Sequence, residues 1–228
     1  MERSQVNEIL EESDRFIRSF GYVMPPFAYW SPDEMRERVK SDAGSILANR
    51  LGWDITDYGQ GRFDDLGLFL FTVRNGSAED LARGQGMLYA EKIMISRKDQ
   101  LSPMHRHVIK AEDIINRGGG KLVLELFDSA EDGSIDADAE VSVLTDGAVR
   151  KMEAGGLLKL DPGESVTLMP GIWHAFWGEG ADVLIGEVST VNDDLTDNVF
   201  REPIGRFSSI IENEKPRHLL VSDYDAWL

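Results

Sequence analysis

From Leu66 onward the chain alternates short β-prone runs with Gly, Pro and Asp turns, and that pattern leaves few folds open. Leu68–Val73 (LFLFTV), Tyr89–Ile95, Lys121–Phe127 (KLVLELF), Leu157–Leu160, Ser165–Met169, Ala175–Trp177 and Val183–Val188 (VLIGEV) each read as a strand. Asp146-Gly147 lies inside Glu140–Lys151 and predicts a hairpin with a tight turn. Asn75-Gly76, a Gly118-Gly119-Gly120 turn, Asp161-Pro162-Gly163 and Pro170-Gly171 punctuate the rest. Many short strands spaced in this way predict a mainly β protein, a sandwich or barrel. No repeat of fixed period and no low-complexity linker divides the chain.

The N-terminal part differs. Val6, Ile9, Leu10, Phe16, Ile17 and Phe20 recur at roughly helical spacing, which predicts a helix over Ser4–Phe20 stopped by Gly21. Ser31-Pro32-Asp33-Glu34 predicts a second start, with Ser as N-cap, Pro in the first turn and acids against the helix dipole, running to about Val39. Leu47–Tyr58 reads as a turn or as a short helix. The expected arrangement is a helical cover over residues 1–65 and a barrel with a C-terminal arm over 66–228, one structural domain overall. Leu219–Val221 reads as one last strand of that arm.

His105-x-His107 is the first chemical signal. In a strand this spacing puts both imidazoles on one face, whereas in a helix they diverge by about 200°. Glu112 follows five residues later, enough chain to bring a carboxylate back to the same point. His174 lies far downstream in PGIWH, so three of the four histidines fall in these two motifs. Three imidazoles and a carboxylate suit a divalent first-row metal with positions left for water or substrate. The bland alternative is a pair of solvated strand histidines beside an unrelated acid.

Charge and composition narrow the partners. The chain carries 24 basic and 41 acidic residues, a net charge of −17, which argues against nucleic acid and anionic membranes. It has no cysteine, which removes disulfides and thiolate chemistry. Met1–Ser13 lacks the apolar stretch of a signal peptide and no run approaches a membrane span, so the expected location is the cytoplasm.

The two motifs resemble those of the cupin superfamily: His105, His107, Glu112 and Gly118 or Gly119 in the first, Gly163, Pro170-Gly171 and His174 in the second. Two departures are visible. Pro and Gly are adjacent here, where the usual pattern separates them by one residue, and the Asn often found after the last His is replaced by Ala175-Phe176-Trp177. That Asn is not a ligand, so the metal assignment survives. PPFAYWSP, LGWDIT, LFTVRNGS, YAEKIM, EDIINRGGG, PGES, HAFWGE and GEVSTVNDD, taken in order, resemble the D-lyxose isomerase family. The blocks span most of the chain, from near residue 2 to about residue 207. The resemblance implies a cupin (jelly-roll) β-barrel with N-terminal helices packed on it. It also implies a homodimer and a divalent-metal ketol isomerase acting on a small free monosaccharide. The expected metal is manganese, with cobalt, zinc, iron or nickel as alternatives. The expected reactions are D-lyxose to D-xylulose, and D-mannose to D-fructose, by proton transfer through a metal-stabilised cis-enediol.

Such a reaction needs ligands that leave two adjacent positions for O1 and O2, and His105, His107, Glu112 and His174 meet that need. Lys92 shares its strand face with Ala90 and Met94. It is either a lysine snorkelling to the barrel mouth or an acid–base group with a pKa lowered by burial near the metal. Lys110, between two ligands, is either a catalytic group or an ordinary loop lysine. Glu187 shares its face with Val183 and Ile185, so it needs a partner or a purpose: a buried salt bridge or the base for C1/C2 proton transfer. Arg206 and Asp194 are candidates for the distal hydroxyls, against a surface ion pair and, with Asp193, a solvated turn. Trp173 and Trp177 flank His174 and either wall the pocket or fill core. His218 has no companion motif and is expected to have no role. The rivals are an iron oxygenase on the same ligands, or a non-catalytic sugar-binding cupin.

Overall fold

The computed structural model describes residues 1–228. Three helices come first, α1 (Arg3–Ser19), α2 (Pro32–Ser41) and α3 (Gly44–Ala48), then strands β1 (Gly52–Thr56) and β2 (Leu68–Arg74) and helix α4 (Ala78–Arg83). The remaining strands are β3 (Tyr89–Ser96), β4 (Ser102–His107), β5 (Glu112–Ser129), β6 (Ile135–Asp136), β7 (Val141–Thr145), β8 (Ala148–Met152), β9 (Gly156–Leu160), β10 (Ser165–Leu168), β11 (Trp173–Thr190) and β12 (Asn198–Phe200). A short helix, α5 (Tyr224–Trp227), ends the chain. No helix is long and apolar enough to cross a membrane.

All strand pairings within the sheet are antiparallel, and the protein has a mainly β, cupin-like jelly-roll fold. Two long strands close it. The C-terminal half of β11 pairs with β3 and the first half of β5, while its N-terminal half pairs with β4 and the second half of β5. β5 likewise passes from β10 to β9. Each long strand therefore belongs to both sheets, and each bends at glycines. Gly119 has φ +96°, and a Cβ there would stand 2.0 Å from the Asp182 carbonyl oxygen of β11. Only glycine allows the strands to approach this closely. The expected Gly118–Gly120 turn is thus a bend inside β5, and Lys121–Phe127 is the second half of one strand. Ala175–Trp177 and Val183–Val188 are likewise two parts of β11.

The sheet is buried on both faces. Leu68, Leu70 and Met94 point into the barrel with Ile114 and Ile185, whereas Phe69, Phe71, Ile93 and Ile95 point outward under α1. This explains why LFLFTV is a continuous apolar run and does not alternate. Helix α1 covers the outer face with Val6, Ile9, Leu10 and Ile17, and α2 begins at the expected Ser31 capping box. The ambiguous Leu47–Tyr58 resolves into part of α3 and the edge strand β1, which pairs with β2. Leu219–Val221 is not a strand: Leu220 makes a single bridge to Trp53, and Val221–Asp223 form a 3-10 turn. The hydrogen bonds of the arm go instead to α1. Arg3, fully buried, donates through both arms of its guanidinium to Asp223 (2.7 and 2.9 Å) and to Glu212 (2.6 and 2.9 Å).

Candidate active site

β4 carries His105 and His107 on one face, and β11 places His174 directly across from His105. The ring nitrogens that could hold a metal lie within 4.8 Å of one another. Glu112, the first residue of β5, brings Oε1 to 3.3 Å from Nε2 of both His107 and His174. The Nδ1 atoms of His105 and His174 lie 2.9 Å from the Pro103 carbonyl and 3.1 Å from the Ile172 carbonyl. A carbonyl only accepts, so each Nδ1 carries the proton and each Nε2 presents a lone pair. Burial, then the neighbouring His174 and His107, holds the His105 imidazole well below its usual pKa, and burial and Lys110 lower that of His107. Burial works against Glu112, but the Lys110 and His107 charges outweigh it and keep this acid well below the usual carboxylate range. Three imidazoles converging on an ionised carboxylate form the donor set that a divalent cation requires, and the four residues fit one.

A chain of alternating charge runs from this centre. Lys110 Nζ is 2.6 Å from Glu112 Oε2 and 3.0 Å from Glu187 Oε1. Glu187 pairs across the strands with Lys92, whose Nζ is 3.5 Å from Glu187 Oε1 and 3.6 Å from Asp194 Oδ1. Arg206 Nη2 then bridges Asp194 (3.2 Å) and Asp54 (3.0 Å). Lys92, Lys110 and Glu187 are each about 3 % exposed, so Lys92 does not snorkel to a mouth and Lys110 is not an ordinary loop lysine. Burial pulls the Lys110 pKa down, but Glu112 and Glu187 more than reverse that and raise it. Asp194 is driven far down, because Arg206, Lys92 and Lys110 overcome its burial. Asp54 is pushed up by burial, against Arg206.

These groups line part of a small cavity in the barrel. The rest of the lining is apolar and aromatic, with Leu68, Leu70, Met94, Phe176, Tyr58 and Phe200; Met94 and Phe176 follow Lys92 and His174 on the same strand faces. Burial pushes the Tyr58 hydroxyl up to about 12, and it pairs with Ser102 Oγ at 2.9 Å. Nine of the ten expected site residues line this cavity: His105, His107, Glu112, His174, Lys92, Lys110, Glu187, Asp194 and Arg206.

Trp173 does not. Side chains alternate along β11, so with His174 and Phe176 facing the cavity, Trp173 faces the other way. It packs with Met104 and Ala175 and donates Nε1–H to the Gly133 carbonyl (3.2 Å). Trp177 shares that outward face. Asp193 is a capping group whose carboxylate accepts from Leu195 N, Thr196 N and Thr196 Oγ1. His218 lies 3.0 Å from the Trp30 carbonyl through Nδ1 and stacks on Trp53, away from the cavity.

Three polar groups were missed. Asn192 Oδ1 accepts from Lys92 (2.6 Å), Asp54 anchors Arg206, and Asp197 caps the turn after the histidines. Asp54 did not carry the signal that marked Glu187: Trp53 and Ile55 point to the other face of β1, and its own face holds Gly52 and Thr56. Asn192 and Asp197 lie in a loop with no periodicity to mark them.

Comparison with known proteins bears on this site. The sequence model of a family described as D-lyxose isomerase matches residues 1–224. A D-lyxose/D-mannose isomerase of Serratia proteamaculans is 46% identical over 227 residues, 98% of each chain. One from Escherichia coli O157:H7 is 43% identical over 226 residues, again 98% of each. Among solved structures, Acinetobacter sp. DL28 L-ribose isomerase in complex with L-ribose superposes with a TM-score of 0.62 at 14% identity, covering 92% of this chain and 98% of that one. Geodermatophilus obscurus L-ribose isomerase does so with a TM-score of 0.56 at 16% identity over the same shares. At such identity the likeness is one of fold.

Proposed function

This chain belongs to the D-lyxose isomerase family and is a sugar isomerase, and from that premise we propose that it interconverts D-lyxose with D-xylulose and D-mannose with D-fructose, using a divalent metal. His105, His107, Glu112 and His174 would hold that metal, with manganese the first candidate. A cation held there would polarise the sugar carbonyl and lower the cost of negative charge on O1 and O2. The observation that carries the reading is the buried Glu187, on the cavity wall and one lysine away from the ligand Glu112.

The chain's own groups divide the work as follows. Glu187 removes the proton from C2 of the aldose and returns it to C1, so that the intermediate is a cis-enediol. Lys110, held between two carboxylates, passes the matching proton between O2 and O1. Lys92 pairs with Glu187 and fixes its orientation. Arg206 lines the cavity with Nη1 buried and without a protein partner, and together with Asp194 it takes the distal hydroxyls. The apolar wall packs on the C–H face of the sugar and keeps water from the enediol. By the same family likeness the protein is a homodimer, which light scattering at several concentrations would check.

The test is to strip the metal, add manganese back, and offer D-lyxose, D-mannose and D-xylose while measuring ketose. Manganese-dependent conversion, fastest with D-lyxose, is expected. Tight metal binding with no ketose from any of the three would overturn the assignment.

A further inference from the structure

The three imidazoles are not held alike. His105 and His174 are oriented by main-chain carbonyls, whereas Nδ1 of His107 is buried and has no hydrogen-bond partner. The Asp197 carboxylate faces it, with Oδ2 at 3.9 Å. Asp197 is itself buried, at 6 % exposure. It accepts three main-chain N–H bonds from the turn that follows His107: Val108 (3.0 Å) and Ile109 (2.7 Å) to Oδ1, and Lys110 (2.9 Å) to Oδ2. One carboxylate thus fixes the backbone of Lys110 and faces the free nitrogen of a ligand histidine.

We propose that Asp197 is the positioning residue for His107. Its Oδ2 accepts the Nδ1–H of His107 once Nε2 is committed to a metal, as the two carbonyls already do for the other imidazoles. The 3.9 Å gap then shortens to about 2.8 Å, the length of a charge-assisted bond. Asp197 also closes the loop from Asn192 to Asp197 onto the histidine strand. The loop that carries the proposed sugar contact Asp194 is thereby tied to the metal centre by a side chain that touches neither sugar nor metal. This inference rests on the metal-site reading above.

The test uses the full chain loaded with zinc, which is diamagnetic, and the near-isosteric D197N. Titration of metal-stripped protein with zinc and manganese is expected to show binding about 10–100-fold weaker in D197N, the usual loss when such a partner is removed. In the nitrogen-correlated NMR spectrum of the zinc form, the His107 ring N–H is expected furthest downfield of the three ligand histidines. It should move upfield and exchange faster in D197N, while the signals of His105 and His174 stay in place. A carboxylate that only caps the turn would leave the His107 ring proton unmoved. Metal affinity within twofold of the unsubstituted protein, or an unmoved ring proton, would overturn the proposal. If D197N does not fold, the spectrum of the unsubstituted zinc form still decides: a His107 ring proton no further downfield than the other two overturns it. Failure of the unsubstituted protein to bind either metal would instead overturn the metal site itself.

Discussion

At the scale of the residue, Glu187 has two cationic neighbours and a cavity beside it. Both meanings proposed for a lone acid on an apolar strand face are therefore in view at one position, a buried salt bridge and a base. Glu187→Gln separates them, since the amide keeps its shape and can still accept a bond from Lys110. We expect kcat to fall about 10²- to 10⁴-fold, the usual weight of a general base, with metal content unchanged. Full activity would reduce Glu187 to a structural ion-pair partner. A second prediction concerns pH. His105 and His107 have pKa values depressed by the fold, so the unfolded chain takes up protons that the folded one refuses. The stability they contribute is fully present above the ordinary histidine pKa of about 6.5 and is lost as pH falls below it. Glu112 and Asp194, also depressed, add a further loss below the ordinary carboxylate range of about 4. Asp54, shifted upward, offsets part of that acid limb. Melts of the metal-free protein from neutral to acid pH should fall in that order, and a flat profile down to pH about 5 would contradict it. The meeting of His105, His107 and Glu112 was legible because a strand period of two and a spaced carboxylate are written locally. Asp197 and Asn192 were not, because their roles exist only after the loop folds back on the histidine strand.

At the scale of the element, the short strands were legible from their turns, but β5 and β11 were not legible as single strands. Each reads as two segments, because the glycines that allow the bend also interrupt the apolar pattern. β12 was missed for another reason: three residues beside an acidic loop carry too little pattern, and pairing with β4 defines the strand. The bend predicts an outcome for Gly119→Ala. Its Cβ would meet main chain, which cannot rotate aside, at a φ that disfavours any side chain. We expect a loss of about 2–4 kcal/mol in urea unfolding, within the range for strained backbone and overpacking. A loss below about 0.5 kcal/mol, the size of an ordinary surface change, would show that the strands can separate there without cost.

At the scale of the whole molecule, a helical layer before a mainly β body was legible in periodicity, and the family resemblance narrowed that body from a sandwich or barrel to a barrel. What holds the two ends of the chain was not, because nothing near Arg3 in sequence marks its partners. Arg3→Ala would leave Asp223 buried without its cation. The expected cost is about 3 kcal/mol or more, as for other broken buried pairs, with unchanged metal affinity because the helix lies on the far face of the sheet from the site. Arg3→Lys should recover only part of that loss, since an ammonium lacks the planar guanidinium fork that gives each carboxylate two N–H bonds. Recovery in full would mean that charge alone matters there. The separation of these partners has a bearing on biosynthesis. Arg3 and Asp223 stand 220 positions apart, so on the ribosome the helix is made long before its counter-charges exist. Until residues 212–223 leave the exit tunnel, Arg3 has no counter-charge and α1 is held on the sheet only by its apolar stripe. The ion pairs of Arg3 therefore close after the apolar stripe has docked, as a late step that locks a helix already in place.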